Sequence, residues 1–152
     1  MGFADNLKKN IQSVQHQVNN SIVETAQQFG NKLLDYSPLG ADALYMGAYA
    51  KGLFINSWYV GENNFDPTVG TSPDPSGSAS KSRISGLKGS QVFLNKDGYI
   101  SFSNNLSYAY RVEVLGWPSG TDSVSGWSWT GSVGPYAPVR NSITYMQGVK
   151  KQ

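Results

Sequence analysis

Residues 91–117, QVFLNKDGYISFSNNLSYAYRVEVLGW, decide the fold predicted for this chain. Within them, Lys96-Asp97-Gly98 supplies turn residues, including a glycine that tolerates a positive φ. The residues on both sides of this turn have the composition of short strands. The segment therefore predicts a β-hairpin over about residues 91–102, followed by a tail that ends at Gly116.

The tail of this segment carries an arginine and a glutamate two positions apart, Arg111 and Glu113. In an extended conformation the two side chains would share a face, whereas in a helix they would diverge. The planar donor fork of arginine, next to the rings of Tyr108 and Tyr110, suits a protein interface. An ordinary surface ion pair worth about 0–1 kcal/mol is the alternative. The tail is therefore the first candidate for a subunit contact.

Upstream, apolar residues recur every three or four positions from Phe3 to Tyr36. This pattern predicts a helix over residues 3–36, which ends where Ser37 precedes a proline. A break or a bend is expected at Gly30, which costs the helix about 1 kcal/mol relative to alanine. A helix of about 50 Å exceeds what a domain of this size covers. Either it packs along a sheet, or its first half projects and packs between neighbouring subunits.

The sequence between residues 53 and 80 predicts a strand followed by a loop. Residues 53–60, LFINSWYV, have the β-propensity of a strand. Residues 61–80 hold three prolines among small polar residues, and predict a loop that becomes ordered only against a partner. A second loop, residues 117–135, carries Trp127 and Trp129 in a Gly/Ser background. These tryptophans predict either an interface or a plug at the edge of the sheet.

Two short helices complete the predicted architecture. Residues 81–88 predict one or two helical turns whose basic residues, Lys81, Arg83 and Lys88, lie either in a solvated turn or against DNA or a negatively charged lumen. Pro138 suits the first turn of a C-terminal helix. The predicted fold class is α+β in a single domain over residues 1–152: a long N-terminal helix, then a small antiparallel β-sheet with long loops and a short C-terminal helix over residues 53–147.

Composition narrows the classes of function. Only 14% of the residues are charged, against about 25% in ordinary globular proteins. Such a surface suits burial against other subunits, although extracellular β-rich domains share it. The chain has no cysteine, which fits assembly in a reducing cytosol, and a net charge of +2, too small for nucleic-acid binding as the main task. No secretory signal and no run of about 18 apolar residues is present, so no membrane partner is expected.

The sequence offers no constellation for catalysis. His16 is the only histidine and lies among polar residues of the predicted helix, so neither a metal triad nor a Ser-His-Asp system can be assembled around it. Most acidic residues stand next to Gly, Pro or Asn, where a carboxylate serves the backbone of a turn. Residues 86–89, GLKG, lack the frame of a phosphate-binding loop. We therefore predict no enzyme activity, metal or cofactor.

One short motif suggests a family. Residues 103–113, SNNLSYAYRVE, are followed by Gly116 and later by the sequence APVR at residues 137–140. This pattern and the order of the elements resemble the tail-completion, or neck, proteins of tailed bacteriophages, and are similar to minor tail protein Z-like morphogenesis proteins. The residues that match are Asn104, Asn105, Tyr108, Ala109, Arg111, Glu113, Gly116, Pro138 and Arg140. Val114 and Leu115 delay the glycine relative to the family, so function carries over better than individual contacts.

The resemblance implies an α+β subunit of a closed ring, expected to be a hexamer, which joins the DNA-filled head to the tail in the virion neck and is assembled in the host cytoplasm. The implied partners are other copies of the chain, a head-connector or adaptor protein, and a tail terminator or tail tube or sheath proteins, with passive contact to DNA in the lumen. Subunit or partner contacts are expected at Tyr108, Tyr110, Arg111, Glu113, Trp117, Trp127, Trp129 and Arg140. The alternatives are a tail-terminator or head-stopper ring and, from another class, a secreted carbohydrate-binding module suggested by the tryptophans.

Overall fold

The computed structural model describes residues 2–39, 51–89, 98–116, 120–121, 128–129 and 135–149. They confirm the α+β class. In chain order the elements are α1 (Phe3–Asp35), a 3₁₀ turn (Ile55–Ser57), β1 (Tyr59–Glu62), α2 (Ser78–Ser85), β2 (Ile100–Ser103), a π-helical turn (Arg111–Leu115), β3 (Gly120–Thr121), β4 (Ser128–Trp129) and α3 (Pro138–Val149).

The long N-terminal helix is confirmed and ends one residue earlier than predicted. Its C-terminal cap is Tyr36, whose backbone N–H donates to the carbonyl of Lys32, and the N–H of Ser37 donates to the carbonyl of Leu34. The buried residues of α1 lie in its last two turns, Gly30, Leu33 and Leu34, where the helix packs against α2 and α3. Every described side chain before residue 19 is exposed. The body of the domain is therefore built around the C-terminal end of α1.

A break at Gly30 is wrong, because the helix continues through this residue. The glycine serves packing instead. A Cβ at this position would lie 2.9 Å from both Ile84 Cγ2 and Phe102 Cε1. Gly30 therefore allows α1 to approach α2 and β2 closely.

Gly30→Ala is expected to destabilise the domain even though alanine is the better helix former. Overpacking a core costs about 1–3 kcal/mol, which offsets or exceeds the gain in helix propensity of about 1 kcal/mol. Gly148→Ala in α3 is the matched control, because nothing lies within 4 Å of the added Cβ. Urea unfolding followed by circular dichroism measures both. A Gly30→Ala protein more stable than the Gly148→Ala protein would contradict the close approach.

The sheet of the body contains the second strand of the predicted hairpin. The second predicted strand is present as β2, but it pairs antiparallel with β1, in a register that sets Tyr59 opposite Ser103 and Glu62 opposite Ile100. The first predicted strand, over about residues 91–95, lies outside the described residues. A second pair, β3 with β4, sets Gly120 opposite Trp129.

The predicted strand over residues 53–60 is wrong over residues 53–58. The strand begins at Tyr59, and a 3₁₀ turn precedes it. The Ser57 hydroxyl donates to the carbonyl of Leu53 at 2.5 Å, and the backbone N–H of Asn56 donates to the carbonyl of Gly52. These local bonds satisfy polar groups that an extended strand would have paired with a neighbouring strand.

Trp58 lies at the centre of the core. Its side chain is 4% exposed and packs edge-on against Phe54, with the ring centroids 5.8 Å apart. Its indole Nε1–H donates to the Ser37 hydroxyl at 2.9 Å, and that hydroxyl donates in turn to the carbonyl of Leu33. The tryptophan thus ties the region around the 3₁₀ turn to the end of α1. The buried cluster around it contains Leu33, Leu34, Phe54, Ile55, Ile84, Leu106, Tyr108 and Val112.

The loop over residues 61–80 is held by the chain itself, which corrects the expectation that it becomes ordered only against a partner. The amide nitrogen of Asn105 donates to the carbonyls of Asp66 and Thr68, at 3.0 and 2.9 Å. The amide nitrogen of Asn56 donates to the carbonyl of Ser72 at 2.8 Å. Long polar side chains from elsewhere in the fold therefore replace the apolar contacts that the loop sequence lacks.

The same loop ends in a cap for α2. The carboxylate of Asp74 accepts hydrogen bonds from the hydroxyl and backbone N–H groups of Ser78 and Ser76. These bonds, the one from the Ser78 hydroxyl first, hold the pKa of Asp74 well below its usual range. Because the folded-state pKa is lowered, the cap contributes stability above the ordinary aspartate pKa, and that stability is lost as the pH falls through the folded-state pKa.

Candidate functional site

Glu113, the acidic residue of the sequence motif, caps the C-terminal helix. Its two carboxylate oxygens accept hydrogen bonds from the backbone N–H groups of Val139 and Arg140, at 2.9 and 3.0 Å. The helix begins at Pro138, which has no N–H, so Glu113 satisfies the first two amide donors that α3 has. A negative charge at this end also complements the helix dipole. The motif residues Glu113, Pro138 and Arg140 therefore form one structural unit.

Arg111 turns away from this cap. The π-helical turn makes the two side chains diverge, which is the helical alternative of the sequence analysis. The Arg111 Nη1 donates to the carbonyl of Gly116 at 3.2 Å, and within the described residues no ion pair joins Arg111 to Glu113. Gly116 has a φ of 66°, a left-handed conformation that favours glycine at the end of the turn. Each charge of the predicted pair thus has its own intramolecular partner.

Replacing Glu113 by alanine is expected to destabilise the domain by about 1–2 kcal/mol, because two helix N–H groups lose their acceptor. Glu113→Gln keeps one acceptor oxygen and loses the charge, so a smaller cost is expected. Glu24→Gln, at an exposed position of α1, is the control for removing a carboxylate. Urea unfolding measures the free energy of each variant. Equal stability of the Glu113→Ala and wild-type proteins would contradict the capping role.

The two tyrosines of the motif have different environments. Tyr108 is buried in the core, with its ring centroid 6.1 Å from that of Phe54, so within this chain its ring serves the fold. Tyr110 is 63% exposed. Val114 and Leu115 are also exposed and follow it by four and five positions, which brings them to the same face of a π-helical turn. We call Tyr110, Val114 and Leu115 the Tyr110 patch.

The three basic residues proposed to face DNA are not equivalent. Arg83 Nη1 donates to the carbonyls of Asn56 and Trp58, at 3.1 and 2.9 Å, and its guanidinium lies 3.9 Å from the centroid of the Tyr59 ring. This arginine is thus engaged within the fold. Lys81 and Lys88 are exposed. Two separate lysines make a weak electrostatic surface compared with the clusters that bind nucleic acid.

The tryptophans of the second loop are only partly covered by the described residues. Trp117 and Trp127 lie outside them, in the undescribed ranges 117–119 and 122–127, and residues 130–134 of the loop are also outside them. Trp129 lies in β4, opposite Gly120. Trp58, the remaining tryptophan, is buried, so it cannot form part of an exposed carbohydrate platform. Arg140 is exposed beside Glu113, at the start of α3.

The first half of α1 presents a second apolar surface. Phe3, Leu7, Ile11, Val14 and Val18 are between 44% and 83% exposed. We call these five side chains, together with Ala4, the α1 stripe. A shallow, open depression along the same helix is lined by three stripe residues, Ala4, Leu7 and Ile11, and by Lys8, Gln12 and Gln15. Of the two alternatives for this helix, the structure favours projection of the first half over packing along a sheet.

Within the residues that the structure describes, no group of His, Asp and Glu side chains is placed to hold a metal ion. His16 is exposed on α1, with Nε2 3.3 Å from the amide nitrogen of Asn20. None of the described helices is long and apolar enough to cross a membrane.

Comparison with protein-family models, with curated protein sequences and with solved structures finds no match to this chain. Because the α1 stripe and the Tyr110 patch are apolar and exposed, these two surfaces are the candidate site.

Proposed function

We propose that this chain is the structural subunit of a closed ring in the neck of a tailed bacteriophage, where it joins the head to the tail and carries out no chemical turnover. The observation that carries this proposal is that, among the residues that the structure describes, two apolar surfaces on different elements are exposed in the single chain, the α1 stripe and the Tyr110 patch. A joining protein needs one surface for its own copies and another for the adjoining component. Copies that meet through heterologous contacts close into a ring when the rotation allows it.

The placement in the neck rests on the sequence motif. In the fold, residues of this motif have a structural role. Hydrogen bonds to Glu113 join the start of α3 to the π-helical turn, and that turn carries the Tyr110 patch. The motif therefore fixes the geometry of an exposed apolar surface. On this proposal the patch meets a head-connector protein or a tail component, and the ring is assembled in the host cytoplasm before the virion is complete.

Labelling of particles tests the location. In virions of the phage that encodes this chain, gold-labelled antibodies against it are expected at the junction of head and tail in electron micrographs. Label at the distal end of the tail, or no label on complete particles, would contradict the neck role.

A variant of the patch tests how the ring joins its neighbours. Tyr110→Asp with Leu115→Asp is expected to leave the fold and the ring intact, because both side chains are exposed in the single chain. It is expected to abolish incorporation into particles, because the two charges replace the apolar surface that meets the neighbouring component. Ser107→Asp, at an exposed position before the turn, is the control. Normal incorporation of the double variant would show that the patch is not the joining surface.

A further inference from the structure

We propose that the α1 stripe is covered by the same stripe of a second copy of this chain, in a parallel coiled coil over residues 4–18. The identity of the occupant follows from the spacing of the stripe, and the parallel orientation follows from the residue types at its a and d positions. Because a stripe that meets the same stripe joins only two copies, other surfaces make the heterologous contacts of the ring proposed above. The stripe is otherwise an exposed apolar surface of the single chain.

The spacing of the stripe is that of a coiled-coil seam. Ala4, Leu7, Ile11, Val14 and Val18 are separated by three, four, three and four residues. These intervals are the alternating a and d positions of a heptad, with Ala4, Ile11 and Val18 at a. β-Branched residues at a with leucine at d are typical of parallel pairs, and Ile11, Val18 and Leu7 follow this pattern. Ala4 at a and Val14 at d depart from it. A seam of this kind is complementary to itself, which favours a second copy over an unrelated partner.

The seam ends where the body of the domain begins. The next d and a positions are Ser21 and Thr25, both polar, and the apolar pattern resumes instead at Ile22. Ile22 and Val23 are partly buried in the single chain. The helix therefore presents one apolar face up to Val18 and turns a different face towards its own domain after it.

The flanks of the seam tolerate a parallel partner. Such an arrangement places each g residue opposite the e residue five positions later in the second copy. Here it pairs Asn10 with Gln15 of the second copy, and Phe3 with Lys8 of the second copy. No two like charges oppose each other in these pairs. The remaining charges of this stretch, Asp5 and Lys9, lie at outer b and f positions.

Cysteine cross-linking of the full chain tests this proposal cleanly, because the natural sequence contains no cysteine. Ile11→Cys places a thiol at the centre of the seam, where a parallel partner brings the two Cβ atoms within disulfide reach. Under mild oxidation it is expected to form covalent dimers at least about tenfold faster than the control, Ser13→Cys, which lies at an outer c position. Both positions are exposed in the single chain, so neither change disturbs the core.

Three results would overturn the proposal. The first two are equal cross-linking of the Ile11→Cys and Ser13→Cys proteins, and no cross-linking of Ile11→Cys. The third is a mixture of Leu7→Cys with Val18→Cys proteins in which the covalent heterodimer forms and the two homodimers do not, since positions 7 and 18 meet only in an antiparallel arrangement. The ring is tested separately by the native mass. Cross-linking of Ile11→Cys in a protein of only two copies would support the seam and contradict the ring. A protein of more than two copies without this cross-link would support the ring and contradict the seam.

Discussion

Trp58→Ala is expected to lower the free energy of unfolding by about 3–5 kcal/mol, the range for truncating a buried aromatic side chain. The substitution removes a 4%-exposed ring from the centre of the core, with its edge contact to Phe54. It also leaves the buried hydroxyl of Ser37 without the indole donor. Because small domains are stable by about 5–15 kcal/mol in total, the variant would lose a large part of its stability.

A conservative change separates the two parts of this effect. Trp58→Phe keeps most of the buried apolar area and loses the hydrogen bond to Ser37, so an intermediate cost is expected. Urea unfolding followed by far-ultraviolet circular dichroism measures both variants. A cost below about 1 kcal/mol for Trp58→Ala would mean that the core is organised around other residues.

Ile11→Asp with Val18→Asp is expected to yield a folded protein whose self-association is weakened about 100-fold or more. Burying a large apolar side chain contributes about 1.5–3 kcal/mol, and each 1.4 kcal/mol changes an equilibrium constant tenfold. Both side chains are about half exposed in the single chain, so the fold does not depend on them. Light scattering gives the molar mass, and circular dichroism gives the helix content.

The matched control carries the same two charges on another face of the same helix. Ser13→Asp with His16→Asp changes exposed residues at outer positions of the seam and adds two aspartates, with their lower helix propensity. This control is expected to associate like the wild type. Dissociation of both double variants would assign the effect to charge or to helix propensity and would contradict a specific seam.

The helices follow from the sequence because their signals are local. The apolar period of α1 runs without interruption from Phe3, and its end is marked by the residue before Pro38. The strand predicted over residues 53–60 fails for a physical reason: the side chains of Asn56 and Ser57 bond to nearby and distant backbone, which overrides the β-propensity of their neighbours. Gly30 likewise has a role that depends on Ile84, which lies far away in the sequence.

Of the residues that define the candidate site, only Tyr110 was predicted from the sequence as a contact residue, and the helix cap beside it was not predicted. The motif marked Glu113 and Arg140 as belonging together, but their contact spans 26 to 27 positions, and no local pattern reveals a cap formed at that separation. A carboxylate in the same motif as Pro138, a residue suited to a helix start, was the available signal. Tyr108 and Arg83 look like surface residues in the sequence, and packing against Phe54 and Tyr59 decides otherwise.

The most direct test of the central claim is the native mass of the purified chain, measured by native mass spectrometry over a range of concentrations. A closed ring predicts one dominant species of a fixed number of copies, larger than a dimer, each copy contributing 16.5 kDa. The distribution should not shift to larger assemblies as concentration rises, because a closed ring has no free ends. A species of 16.5 kDa at every concentration would contradict the account.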